Sequence, residues 1–205
     1  MSYSCIEVEC NKHPLFEHCK RIRLEVFVGE QGVDADAELD DIDDYAQHFL
    51  ITWRGDEGGK AVPVATMRIF HYEVPEQPEK LILKVGRIAV SQSFRAQGIG
   101  RRLMDAAEQY AKSQGRKDKK SGAFLFMHSQ SDKQGFYKKC GYCVVRSAAQ
   151  LDGLIDARTL REPDEAELKS LEFLEDGILH VKMAKREELS TDSGQSELGV
   201  PGCSF

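Results

Sequence analysis

From Leu81 to Gly115 the sequence reads as one unit: an apolar strand, a turn holding Gly98 and Gly100, and an amphipathic helix. Leu81 to Val90 is apolar apart from Lys84, Gly86 and Arg87. From Ile99 onward, Leu103, Met104, Ala106, Ala107, Tyr110 and Ala111 recur at three- and four-residue intervals until Gly115 ends the pattern. A strand that empties directly into such a helix commits the chain to a layered sheet-and-helix architecture.

The turn also has chemical content. Gly98 and Gly100 lack the side chains that would hold a ligand away from the backbone, and the first helical turn leaves N–H groups unpaired. With the positive end of the helix dipole they form a cradle for a pyrophosphate, to which Arg95 and Arg101 add charge-assisted contacts. Two familiar phosphate loops do not fit. No Gly-Lys-Ser/Thr follows the glycines, and Leu103 stands where a dinucleotide fingerprint has its third glycine. The next strand ends at His128 after the apolar Phe124 to Met127, without the acid that would bind a ribose.

Around this unit the spacing predicts a strand at Ile6–Glu9 and a helix after Pro14. It predicts a hairpin from His48–Trp53 and Val62–His71, a strand at Ala123–His128 and a short helix at Asp132–Lys139. Further strands are expected at Tyr142–Arg146 and Ile178–Met183, with a helical piece at Asp164–Phe173. Seven acids between Asp34 and Asp44 read as an exposed loop. The fold class is therefore α/β or α+β. The 205 residues suit one domain, expected over residues 1–185 with an inserted excursion at 147–171, followed by a polar tail at 186–205.

A net charge of -6 argues against a protein that neutralises nucleic-acid phosphates. No apolar run approaches the roughly 20 residues that cross a bilayer, so the reading is no nucleic acid, no membrane, and a cytoplasmic or nuclear location. The six dispersed cysteines read as reduced thiols. Cys140-Gly141-Tyr142-Cys143 has redox spacing, but a helix precedes it and a strand follows, the reverse of a thioredoxin-like setting. No metal site is expected. Cys5, Cys10, His13, His18 and Cys19 lack paired-ligand spacing, and Asp41 stands where a calcium loop needs glycine.

Arg95-x-x-Gly98-x-Gly100 resembles the acetyl-CoA-binding signature of the GNAT N-acetyltransferase superfamily. Arg87-Ile88-Ala89-Val90 looks like its fourth strand, and Gly135-Phe136-Tyr137-Lys138-Lys139-Cys140-Gly141-Tyr142 is similar to its later F-Y-x-x-x-G-F/Y segment. Arg23 to Val33, Glu38-x-Asp40-x-x-Asp43, His48-Phe49-Leu50, His128-Ser129-Gln130 and Glu175 to Val181 resemble the ElaA/YjcF-like subgroup.

The resemblance implies a GNAT fold: a central mixed, mostly antiparallel sheet of about six to seven strands, splayed at strands 4 and 5 and flanked by helices. It also implies acetyl-CoA as cosubstrate, held by Ile88, Ala89, Val90, Arg95, Ala96, Gln97, Gly98, Ile99, Gly100 and Arg101. An amine of a small molecule or protein would attack the thioester directly in a ternary complex. Such an amine, with a solution pKa of about 10.4, is mostly protonated at neutral pH and needs a base. Tyr137 matches the position of a phenol that protonates the leaving thiolate.

Many members carry the base as a fourth-strand Glu, where this chain has Arg87. Candidates here are Glu30, His128 and Glu175, with His128 closest to neutrality in its ordinary pKa. The alternative is a non-catalytic acyl-CoA-binding or regulatory module that has lost its base. Arg68 and Arg87, charged within apolar strands, are expected to pair with Glu30, Glu38 or Asp40, or to bind an acidic group on the substrate. The chain is expected as a monomer or homodimer.

Overall fold

The computed structural model describes residues 2–55, 59–146 and 163–189. Residues 147–162 of the expected excursion, and the tail from 190 onward, lie outside the described residues. The first half of the chain is β1 (Ser2–Glu9), α1 (Phe16–Arg23), α2 (Ala35–Glu38), β2 (Gln47–Arg54), β3 (Val62–His71) and β4 (Lys80–Val90). The second half is α3 (Ile99–Lys117), β5 (Gly122–Gln130), α4 (Gln134–Lys139), β6 (Cys143–Val144), α5 (Glu165–Leu171), β7 (Phe173–Glu175) and β8 (Ile178–Glu187). Helix α1 does not stop at Arg23 but widens into π-helical turns over Leu24–Glu30.

All eight strands join one sheet in the order β1-β2-β3-β4-β5-β8-β6, with β7 also paired to β8. Every pairing is antiparallel except β4 with β5, so the sheet is mixed as expected. Strand β7 was not expected from the sequence; it begins at Phe173, the last residue of the helical piece expected at Asp164–Phe173. That helix is shorter, Glu165–Leu171, and the Asp164 carboxylate caps it by accepting from the Glu167 N–H. Strand β8 reaches Glu187, so Arg186 and Glu187 belong to the sheet and not to a tail.

Helix α3 packs across β3, β4 and β5 because its apolar stripe is continuous: Ile99, Leu103, Met104, Ala107 and Ala111 are all buried. Each large side chain buried there contributes about 1.5–3 kcal/mol. Helix α1 covers the opposite face of β2 to β4 through Phe16, Cys19, Ile22 and Val26, which meet Val8, Leu50 and Ala89. The sheet is therefore covered on both faces around β4, the strand that leads to the glycine turn.

The acidic run is not an exposed loop. It forms α2 and a short 3-10 turn at Asp41–Asp44, and it turns Glu38 (1% exposed) and Asp43 (3%) inward. The reason is Arg23, fully buried on the apolar face of α1. Its Nε donates to Glu38 Oε1 at 2.6 Å and its second guanidinium nitrogen to Asp43 Oδ1 at 2.8 Å. Arg68 adds bonds to Asp43 Oδ1 at 2.8 Å and Asp40 Oδ2 at 3.0 Å. Charges this deep are tolerable only when each has a hydrogen-bonded counter-charge.

Candidate active site

The β4–β5 ladder runs from Lys80↔Gly122 to Lys84↔Phe126 and ends there. Beyond it, Val85–Val90 and Met127–Gln130 diverge, and the facing edge of β4 loses its sheet partner. A bulge in the β3–β4 pairing accompanies the divergence. Arg68 pairs with Gly86 and Thr66 with Ala89, so Arg87 and Ile88 together oppose Met67. Arg87 adopts φ +51, a left-handed conformation uncommon for a side chain of its size. It is held there by its guanidinium, which donates to the Ala37 carbonyl at 3.1 Å and lies 3.1 Å from Glu38 Oε2. The carboxylate run, read from sequence as solvated, thus anchors the bulge.

The resulting cleft encloses about 1210 Å³. Ile88, Ala89, Val90, Arg95, Ala96, Gly98, Ile99, Gly100, Arg101, His128 and Tyr137 all line it, together with Lys84, Arg87, Glu175 and His180. Two residues expected at the site are elsewhere. Gln97 accepts from the Tyr3 hydroxyl at 2.8 Å and donates to the Ser93 carbonyl, away from the cleft wall. Glu30, at the end of the π-helical segment, is bound by Arg95 at 2.7 and 2.8 Å and does not line the cleft. It serves the loop and makes no hydrogen bond to His128.

Past the turn that follows β4, Gly98 forms the N-terminal boundary of α3 with φ +76 and no side chain caps the helix. The first N–H groups of α3 are therefore left for a ligand. The two glycines have different reasons to be there. At Gly98 the left-handed backbone disfavours a Cβ, although space is open; at Gly100 a Cβ would stand 3.1 Å from the Phe136 ring. Phe136 in turn contacts Tyr137 edge-on, with ring centroids 5.0 Å apart, so the cradle and the phenol share a wall.

His128 Nδ1 lies 2.9 Å from Glu175 Oε2, and the imidazole is held edge-on by Phe173 at 4.9 Å and Phe126 at 5.6 Å. The hydrogen bond to His128 holds the Glu175 carboxyl below its usual range, against the opposing effect of burial. An ionised Glu175 accepts the Nδ1–H, which leaves the lone pair on Nε2. Burial pushes the Tyr137 phenol well above its ordinary value, so it stays protonated and able to donate. Its hydroxyl has no hydrogen-bond partner among the described residues. Burial also depresses the Lys84 ammonium, an effect that the nearby Glu175 partly offsets.

Arg23, the hub of the buried ion network, was not singled out from sequence as an ion-pair partner. Its signal was position: it falls four residues after Cys19 and three before Val26, on the buried face of an apolar helix. A charge at such a place needs a partner.

A mixed sheet splayed between its two parallel strands, with an uncapped helix N-terminus at the mouth of the gap, is the architecture of an acyl-group transferase. The acetyltransferase (GNAT) domain family matches residues 46–144. Two Bacillus subtilis chains are similar over most of their length. One, provisionally named an acetyltransferase, is 32% identical over 169 residues, covering 81% of this chain and 99% of its own. YjcF, named an uncharacterized N-acetyltransferase, is 30% identical over 164 residues, covering 80% and 87%. Escherichia coli ElaA shares the fold, with a TM-score of 0.60 at 20% identity over 90% of this chain and 99% of its own. The chain belongs to the GNAT acetyltransferase superfamily.

Proposed function

We propose that the protein transfers the acetyl group of acetyl-CoA to a primary amine by direct attack within a ternary complex. The observation that carries this reading is the convergence, in one cleft, of the uncapped N-terminus of α3 with the His128–Glu175 pair and the Tyr137 hydroxyl.

The fit to acetyl-CoA rests on chemistry present in the chain. The N–H groups after Gly98, with Arg101 beside them, suit a pyrophosphate. The unpaired edge of β4 at Ile88–Val90 suits the amide-bearing arm and offers an N–H to the thioester carbonyl as charge develops on its oxygen. The bound thioester supplies an activated acetyl group.

His128 Nε2 takes the proton of the incoming amine as the N–C bond forms and the C–S bond breaks. Glu175 steadies the imidazolium so produced. Tyr137 gives its proton to the departing sulfur and is reprotonated from solvent. Arg87 stands where the family resemblance leads one to expect a Glu and is bound to Glu38, so in this reading the base comes from β5. The His128–Glu175 pair also favours an enzyme over a non-catalytic binding module.

Acetyl-CoA titration by calorimetry, followed by thiol release over a panel of amines, tests the reading. Binding with amine-dependent release that His128→Gln suppresses supports it. Absence of acetyl-CoA binding overturns it.

A further inference from the structure

The acceptor side of the cleft carries more charge than acetyl transfer requires, and nearly all of it is paired. Asp40 is held by Arg68 and Arg87, Glu38 by Arg23 and Arg87, and Asp43 by Arg23 and Arg68. Glu175 is held by His128. Asp176, at the exposed β7–β8 turn, is screened by water. Lys84 differs from all of these. Among the described residues it makes no ion pair; Glu175 and Asp40 lie near enough to attract it, while Arg68 and Arg87 repel it.

Its place in the fold is specific. Lys84 pairs with Phe70 on β3 and with Phe126 on β5, so two aromatic residues share its face of the sheet. The pair with Phe126 is the last of the β4–β5 ladder, which sets Lys84 at the apex of the splay. His128 follows two residues further along β5, roughly 7 Å at the rise of a parallel strand. A half-buried ammonium that lines a cleft without a direct ion pair is a binding group for an anion.

We propose that Lys84 recognises an anionic group on the acceptor, and that the acceptor is a small primary amine carrying a carboxylate or phosphate several bonds from its nitrogen. This rests on the N-acetyltransferase reading above. The net charge of -6 points the other way, toward a cationic acceptor. On this wall, however, each of these carboxylates is bonded directly to an arginine or a histidine, while no ion pair holds the ammonium, so the local balance outweighs the global one.

The test uses matched acceptors: γ-aminobutyrate against butylamine, phosphoethanolamine against ethanolamine, and putrescine as the dication. Wild type is expected to favour the acidic member of a pair in kcat/KM. Lys84→Met should collapse that ratio by about tenfold or more, and Lys84→Arg should retain most of it. The arm that responds distinguishes carboxylate from phosphate. A wild-type preference for butylamine or putrescine, or a ratio that Lys84→Met leaves intact, overturns the proposal.

Calorimetry of the same acidic amines on CoA-saturated protein separates the two readings. Binding that Lys84→Met abolishes, without acetyl transfer to any amine, keeps the anion subsite and removes the transferase. No binding of either acidic amine removes the subsite alone.

Discussion

His128 and Glu175 lie 47 residues apart in sequence and meet at 2.9 Å, tying β5 to the short strand β7. Each changes what the other can do. The carboxylate fixes which imidazole nitrogen carries the proton, and the imidazole keeps the carboxylate ionised. Together they form the base of the proposed transfer, which neither strand could present alone.

Replacing His128 with Gln is expected to lower kcat by about 10²-fold or more, with a smaller loss, roughly tenfold, for Glu175→Gln. The deficit of His128→Gln should shrink as pH rises toward 9, because the amine then deprotonates without help. Steady-state rates from pH 6 to 9 check this; a deficit independent of pH would assign the histidine a packing role.

Tyr137→Phe removes the donor but keeps the ring against Phe136 and Tyr142. A drop in kcat of roughly 10²-fold is expected, with a far smaller change in acetyl-CoA affinity. A thioester with a more acidic leaving thiol should recover much of the loss, since its sulfur needs no proton. Parallel kinetics on the two thioesters provide the measurement.

The two glycines of the cradle should fail in different ways. Gly98→Ala forces a side chain into the left-handed region, at a cost of about 1–2 kcal/mol in stability, and distorts the cradle. Gly100→Ala instead presses on Phe136, so the double variant Gly100→Ala/Phe136→Leu should regain stability that Gly98→Ala/Phe136→Leu does not. Thermal melts and acetyl-CoA titrations of the four proteins distinguish these cases.

Stability should also decline in mild acid through His48. Fully buried beneath the Arg23–Asp43–Arg68 cluster, it is pushed down to about 4, first by burial and then by the arginines, with Asp43 opposing. Between an ordinary value of about 6.5 and that lowered one, the unfolded chain binds a proton that the folded chain refuses, so stability falls as pH drops across this window. The loss reaches about 3 kcal/mol by pH 4. Urea midpoints from pH 7 to 4 measure it, and His48→Leu should flatten the slope in that range.

The strand–turn–helix unit was legible because its signals are local. The stripe on α3, the glycines at its start and the apolar β4 lie within some 35 consecutive residues, where side-chain periodicity reports directly on burial. Tyr137 and His128 were found as members of motifs. The acidic run was misread for the opposite reason: Glu38 and Asp43 look solvated until Arg23, 15 and 20 residues away, is seen to be buried beside them. Strand β7 was missed because three residues carry too little pattern to outweigh the helical stretch before them.

By itself, the sequence determined the layered sheet-and-helix class, the helix that opens the cradle and the family resemblance, all of which depend on residues close together in the chain. Tertiary structure decided which charges meet. It turned Glu30 toward Arg95, Glu38 toward Arg23 and Arg87, and Glu175 toward His128, and it left Lys84 at the apex of the splay without an ion-pair partner among the described residues. Those pairings depend on strand order and on a bulge at Arg87. Side chains distant in sequence acquire a common environment only when the sheet brings them together, and residue spacing along the chain carries no record of that distance.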